Sequence, residues 1–466
     1  MTNTVSNKIS PKVIGAIIAA GLMSFCGVAV ETATNIVFPA LSQQFGVTTS
    51  MVQWMTTIYL LTVAIIVPLS AIFKKDFRTK SLFLVANLAF IIGLAVDGIL
   101  SFAIPSFSVL LAGRVIQGIG TGIALPLMFN IILEEVPESK IGMMMGVGAL
   151  ITAIAPAVGP IFGGAVSDAL SWHFIFIFLI PLLIVSLILG LISIPKEARH
   201  PIGSFDAASL ALIVITFIGL VFGFSELTQN MVLAIICIVV GLLAAVWLFH
   251  RSNRIQAPII HLDIMKNANF TGHIIGFFAL QLLTLGFSFI LPNYIQVVNH
   301  KAATMAAIFC LPGAVIGAVF APFGGKLLDK FGPRKPILTG AGCILVALIL
   351  FSLTGTHLSN VMILCFYFIY MIGVGLSFGN IMTDGLARLS VNRQADGNAV
   401  FNTLMQLAGA VSTAIVSAIV AHSEMSGGAS KSVLWSNGAE HALIFMLVLA
   451  IVEAVAVFAS VRNRKA

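Results

Sequence analysis

The sequence predicts an all-α membrane protein of fourteen transmembrane helices, on three observations. Only 9% of its 466 residues are Asp, Glu, Lys or Arg while 59% are apolar, against about 25% charged in soluble domains. The apolar residues fall into fourteen stretches long enough to span a hydrocarbon core about 30 Å thick. The basic residues gather in alternate loops, so the net charge of +7 reflects membrane topology rather than affinity for nucleic acid.

In chain order the spans are expected near 13–38, 51–73, 81–100, 107–133, 141–166, 172–194, 206–226, 231–250, 269–291, 303–325, 336–354, 359–383, 397–421 and 440–461. The first follows Lys8 and Lys12 as a secretion signal would, but it is longer than such a signal and holds Glu31 and Asn35. It is therefore expected to be retained as a span.

Basic loops stay on the cytoplasmic side during insertion. Of 24 Lys and Arg, 21 fall on one side, from KKDFRTK (Lys74 to Lys80) through Lys140, Lys196, Arg199, Arg251, Arg254 and Lys266 to KLLDKFGPRK (Lys326 to Lys335), Arg388, Arg393 and both termini. Lys301 and Lys431 fall on the other side, and Arg114 lies within a span. An even number of spans with both ends cytoplasmic is expected, in a bacterial inner or plasma membrane.

The gaps 251–268 and 422–439 are too short for a soluble domain. Cys26, Cys237, Cys310, Cys343 and Cys365 stand singly in apolar stretches and read as small core residues; neither they nor the nine histidines have metal-ligand spacing. No GxxxxGK[ST] phosphate loop is present, so an ion or substrate gradient must supply the energy, and no cofactor is expected.

The chain carries an internal echo. PLSAIFKKDFRTKSLFL (Pro68 to Leu84) lies without gaps on PFGGKLLDKFGPRKPIL (Pro322 to Leu338), pairing Pro68 with Pro322, Phe77 with Phe331 and Lys80 with Arg334 at an offset of 254 residues. That offset corresponds to eight spans, as expected of two six-span repeats separated by two inserted helices. The expected organisation is a six-helix half over 1–200, the inserted pair over 201–256 and a second half over 257–466.

Four segments carry motifs. In span 4, LAGRVIQGIGTGIALP (Leu111 to Pro126) places Arg114, Gln117, Gly118, Thr121, Gly122 and Leu125 at helical spacing, in a small and polar stripe. A guanidinium inside a bilayer costs at least about 2.5–3.5 kcal/mol, so Arg114 is expected to face protein or water. With no strand before it, the segment is not a nucleotide-binding glycine loop. In span 5, APAVGPIFGG (Ala155 to Gly164) combines Pro156 and Pro160, which each remove a backbone donor, with Gly159 and Gly163, which let a neighbouring helix approach. GGKLLDKFGPRK (Gly324 to Lys335) is a charged loop with a Gly-Pro turn. ETATNIVFP (Glu31 to Pro39) closes span 1.

Over nearly its whole length, the chain resembles the fourteen-span drug:proton antiporter family of the major facilitator superfamily, the multidrug efflux type. The resemblance implies a fold of two six-helix halves plus two inserted helices. Arg114 matches the arginine of that family's proton-coupling motif. Pro156, Gly159, Pro160 and Gly163 match its antiporter signature, implying a tightly packed seam between the halves. Asp329, Arg334 and Lys335 match its gating loop, in which the acid and bases bridge helix ends. The first copy of that loop departs from the pattern, with Lys75 at the acid position and Arg78 at a glycine. Span 1 departs too: Val30 holds the usual aspartate position, and Glu31 lies about 100° further round the helix.

The ionisable residues expected within the membrane are Glu31, Asp97 and Arg114 towards the outer third, Asp384 near a cytoplasmic end and Glu453 in span 14. A carboxyl partly excluded from water holds its proton nearer neutrality than one in solution, as proton carriage requires. Glu31 is the expected carrier, with Arg114 as electrostatic partner and Asp97 as an accessory near the outer interface. Asp384 is expected to cap or pair near the inner surface, and Glu453 to serve packing. Asn35, Tyr59, Gln117, Gln281, Thr284, Ser288, Asn380 and Gln406 are expected to line a substrate cavity with Met and Phe around them.

The expected function is proton-coupled antiport of small amphiphilic compounds by a monomer, its partners being substrate, protons and lipid. The same scaffold would also suit a dedicated exporter of a metabolite, peptide or lipid. A non-transporting sensor would need an added soluble domain or lost cavity charges, and the sequence has neither.

Overall fold

In apolar solvent every backbone N–H and C=O has to be satisfied within the chain, which leaves the helix as the form these stretches can take. The computed structural model describes residues 9–47, 49–195, 206–227, 230–255, 258–301, 303–425 and 430–462. Among them, fourteen helices are long and apolar enough to cross a membrane. Lys8, Lys196, Arg199, Arg464 and Lys465, which entered the loop-charge reading, lie outside the described residues.

The first six helices are α1 (Pro11–Ile36), α2 (Thr49–Asp76), α3 (Thr79–Ala95), α4 (Phe107–Glu135), α5 (Ile141–Ala169) and α6 (Leu179–Ser193). The inserted pair is α7 (Ala207–Phe217) and α8 (Met231–Ser252). The last six are α9 (Ala268–Val297), α10 (Ala303–Phe331), α11 (Arg334–Leu353), α12 (Asn360–Ala387), α13 (Val391–Met425) and α14 (Lys431–Arg462). Helices α3 and α7 each run on into a five-residue π turn, Val96–Leu100 and Ile218–Phe222.

The chain forms two compact units. One comprises Met1–Ile141, Ile151–Ala207 and Gln256–Ile260, and the other Gly142–Leu150, Ala208–Ile255 and His261–Ala466. In the first, α4 is the central helix, packed on α1, α2 and α3, with α6 against α1 and α3. In the second, α9 is central, packed on α10, α12, α13 and α14, while α12 also meets α10 and α11. The inserted pair groups with the second unit, α8 lying against the π turn that follows α7.

Two expectations change. Helix α13 begins at Val391 rather than near 397, taking Arg393 out of the loop. Arg393 reaches Asp263 at 3.5 Å and Asp396 at 3.8 Å, so the charge is met where the helix starts. Of the five cysteines only Cys26 is buried; Cys237, Cys310 and Cys343 are partly exposed and Cys365 exposed. A thiol is apolar enough for the outward face of a membrane helix.

Helix α5 runs unbroken through Pro156 and Pro160; the side chain of Pro160 lies outside the described side chains. Gly159 and Gly163 make a close seam with α1 inside the first unit. A β-carbon at Gly163 would stand 2.6 Å from the Ala33 carbonyl oxygen, and one at Gly159 2.7 Å from that of Ala29. Contact this close is backbone to backbone, which is why only glycine fits.

The charged loop meets a helix end through its acid. Asp329 does not bridge to Arg334 or Lys335. Its two carboxylate oxygens accept the backbone N–H groups of Gly142 and Met143, each at 2.9 Å. The start of a helix has unpaired N–H groups and a positive dipole end, and no side chain of its own caps α5. Asp329 supplies that cap, while the Lys335 ammonium lies 4.9 Å over the Phe331 ring. Gly332, at φ 78°, takes the left-handed turn that ends α10. Asp329→Ala is expected to lower stability by about 1.5–3 kcal/mol through loss of charge-assisted bonds, with Asp329→Asn intermediate. The thermal unfolding midpoint of the purified protein measures it, and an unchanged midpoint would contradict the capping role.

Candidate functional site

The polar stripe of α4 meets three other elements in the interior of the first unit. Arg114, Gln117 and Thr121 stand one turn apart in succession, so one face of α4 presents all three. Arg114 and Gln117 have no exposed surface at all.

A continuous polar chain results. Arg114 Nη1 donates to Gln117 Oε1 at 2.8 Å, and Gln117 Nε2 donates to Asp97 Oδ2 at 2.7 Å. Arg114 Nε donates to the Met55 carbonyl of α2 at 3.2 Å, and the guanidinium lies 4.4 Å over the Tyr59 ring. The Tyr59 hydroxyl donates to the Gly27 carbonyl of α1 at 2.8 Å and lies 2.9 Å from Thr121 Oγ1. Arg114 is thus held by an amide, a carbonyl and an aromatic face, each suited to a cation in an apolar interior.

Asp97 does not sit at an exposed interface, as its position near the end of a span suggested. It is fully buried, on the π turn after α3. A π turn is rare and recurs at functional sites because it turns one side chain out of the helical register. The side chain enters α4 beside Gly113, where a β-carbon would stand 1.8 Å from Asp97 Oδ1. Glycine at 113 is what admits the carboxylate.

Two groups in the chain keep unused capacity: Arg114 Nη2 and Asp97 Oδ1 are buried with no hydrogen-bond partner. Glu31 of α1 is partly buried and within electrostatic range of the Arg114 guanidinium, with no hydrogen bond or ion pair joining the two. The structure therefore brings Glu31, Arg114 and Asp97 into one region, but it is Asp97 that hydrogen bonds link to the cation.

The residues expected around cargo separate. Tyr59 and Gln117 belong to the buried chain, and Gln281 and Asn380 are also buried, Asn380 turning its amide to its own helix at Leu376 O. Thr284 and Gln406 are partly buried, and Asn35 and Ser288 exposed. Asn35 accepts from Thr56 at 2.7 Å, and Thr284 lies 3.0 Å from the Tyr370 hydroxyl. In the second unit Asp384 pairs with His273 Nε2 and Arg388 Nη2, both at 2.9 Å. The pairing of Asp384 matches expectation; His273, fully buried on α9, gave no signal because its partner is 111 residues away.

An all-helical chain of many spans, with a cation and its partners shut away from lipid, has the build of a membrane transporter. The chain belongs to the major facilitator superfamily, whose model matches residues 20–413. It is 33% identical over 447 residues to the lincomycin resistance protein LmrB of Listeria innocua, covering 93% of this chain and 94% of that one. It is also 33% identical over 461 residues to the protein of the same name in Bacillus subtilis, covering 96% and 95%. The crystal structure of the human organic anion transporter MFSD10 shares the fold at a TM-score of 0.66 and 14% identity, covering 96% of this chain and all of that one. The protein is a multi-pass membrane transporter and not an enzyme.

Gly113→Ala is expected to push Asp97 off Gln117 and to reduce transport roughly tenfold or more, the loss of a charged hydrogen bond of about 1.5–3 kcal/mol. Gly342→Ala, where a β-carbon meets nothing within 4 Å, is the control expected to transport normally. Equal transport by the two variants, at equal expression, would count against the role given to Gly113.

Proposed function

We propose that this protein exports small amphiphilic drugs, lincomycin among them, in exchange for protons, by alternating access. The observation that carries the reading is the fully buried Arg114 guanidinium, hydrogen-bonded through Gln117 to Asp97 and lying within electrostatic range of Glu31. A cation facing two acids favours the ionised form of each, and a proton arriving on one leaves the cation to the other. Such an arrangement converts proton occupancy into a change of side-chain partners.

In this reading Glu31 is the exchangeable acid, because it is the partly exposed member and has no hydrogen bond to break. Asp97, linked to Arg114 through Gln117, keeps the cation in place when Glu31 is protonated. Both chain ends lie in the cytoplasm, as the basic loops favour. The export direction is supported by the drug-resistance relatives, and the energetics suffice: one charge crossing 100 mV supplies about 2.3 kcal/mol.

Inverted membrane vesicles carrying a pH gradient provide the test, with lincomycin as the added compound. The parent is expected to dissipate the gradient on addition. Glu31→Gln is expected to move lincomycin down its own gradient but to leave the pH gradient intact. Arg114→Ala is expected to abolish both activities, since it leaves Asp97 buried and uncompensated. Gradient collapse at the parent's rate in both variants would overturn the coupling assignment.

A further inference from the structure

Outside the Arg114 chain, the second unit holds an ionisable group that nothing in its surroundings answers. Glu453 lies in α14 with no exposed surface, and both of its carboxyl oxygens lack a hydrogen-bond partner. Buried polar groups are nearly always paired, and an ionised carboxylate buried without a partner is among the costliest arrangements a protein interior holds. Leu or Ala at this position would avoid that cost, so the acid needs a reason beyond filling space.

The seam around it is close and apolar. On α9, a β-carbon at Gly276 would meet Val457 at 2.5 Å and the Glu453 carbonyl oxygen at 3.6 Å. Among the described residues no charged side chain bears on the Glu453 carboxyl, and the titratable group within electrostatic range is the Tyr370 phenol of α12. Tyr370 in turn lies 3.0 Å from Thr284 Oγ1 on α9. Thr284 is partly exposed, and one turn further Ser288 is exposed, its hydroxyl donating to the Thr284 carbonyl at 3.1 Å. The Tyr370 and Thr284 hydroxyls therefore form a linked pair between the neighbourhood of the sealed carboxyl and a partly exposed position on α9.

We propose that Glu453 is a second proton-binding site of the transporter, holding its proton as a neutral acid in the conformation described and exchanging it by way of the Tyr370 and Thr284 hydroxyls. The exchange breaks the carboxyl O–H bond and passes the proton along the hydroxyl oxygens to water, with no change of oxidation state. This rests on the proton-antiport reading and adds to it a site in the second unit, independent of Glu31.

The test uses full-length protein in lipid vesicles and infrared difference spectra between acidic and alkaline pH, where each titrating carboxylic acid gives its own carbonyl stretch. Glu453→Gln is expected to lose one such band that Asp97→Asn keeps, and Glu453→Asp, which retains the acid should the amide disturb folding, is expected to shift it. On addition of lincomycin, Glu453→Gln is expected to release about one proton fewer per transporter than the parent. A set of bands identical in the parent and Glu453→Gln, or an unchanged proton count, would overturn the assignment. A parent that moves no proton with lincomycin would instead sink the antiport reading, while the infrared band would still decide whether Glu453 binds a proton.

Discussion

A guanidinium shut inside an apolar bundle must be answered by acceptors, and the first unit is arranged to provide them. Helix α4 is its central helix, and the three neighbours of α4 each contribute to the environment of Arg114: the Met55 carbonyl and Tyr59 ring from α2, Asp97 from the π turn after α3, and, through Tyr59, the Gly27 carbonyl of α1. The insertion cost of the charge is offset only while these four elements stay in register. A change in the partners of Arg114 is therefore felt by every helix that holds it.

The second unit is organised differently. Its central helix α9 is packed through small residues against α14, and its charges are divided. One group, Asp384 with His273 and Arg388, is fully paired. The other, Glu453, has no hydrogen-bond partner for either carboxyl oxygen. Two units of similar helical build thus treat buried charge in different ways: a linked polar chain in one, and a paired carboxylate and an unpaired acid in the other. Duplicated scaffolds keep their helices because backbone hydrogen bonds require them in lipid, while side chains are free to diverge.

Asp329 illustrates how a motif can be recognised while its particular partner is set by the fold. The sequence offered four bases within six residues of the acid, Lys326, Lys330, Arg334 and Lys335, and the resemblance implied that the acid and bases bridge helix ends. The start of α5 competes for the same carboxylate with two parallel backbone N–H groups and a helix dipole, and it makes both bonds at 2.9 Å. Fixed donors need no side-chain ordering to meet the acid, whereas the long side chains of Arg334 and Lys335 would lose rotamer freedom to do so.

Composition, apolar run length and loop charge were enough to determined the number and order of the spans, because hydrocarbon thickness and the demand for internal backbone hydrogen bonds are local constraints. The helical spacing of Arg114, Gln117 and Thr121 likewise placed them on one face before any packing was known. What lay across from that face was decided by tertiary structure alone. The burial of Asp97 depends on a π turn and on the missing side chain of Gly113, the seam of Gly159 and Gly163 on the course of α1, and the isolation of Glu453 on the approach of α9. Each of these is a contact between segments far apart in the chain, and no periodicity within one helix records which neighbour will meet it.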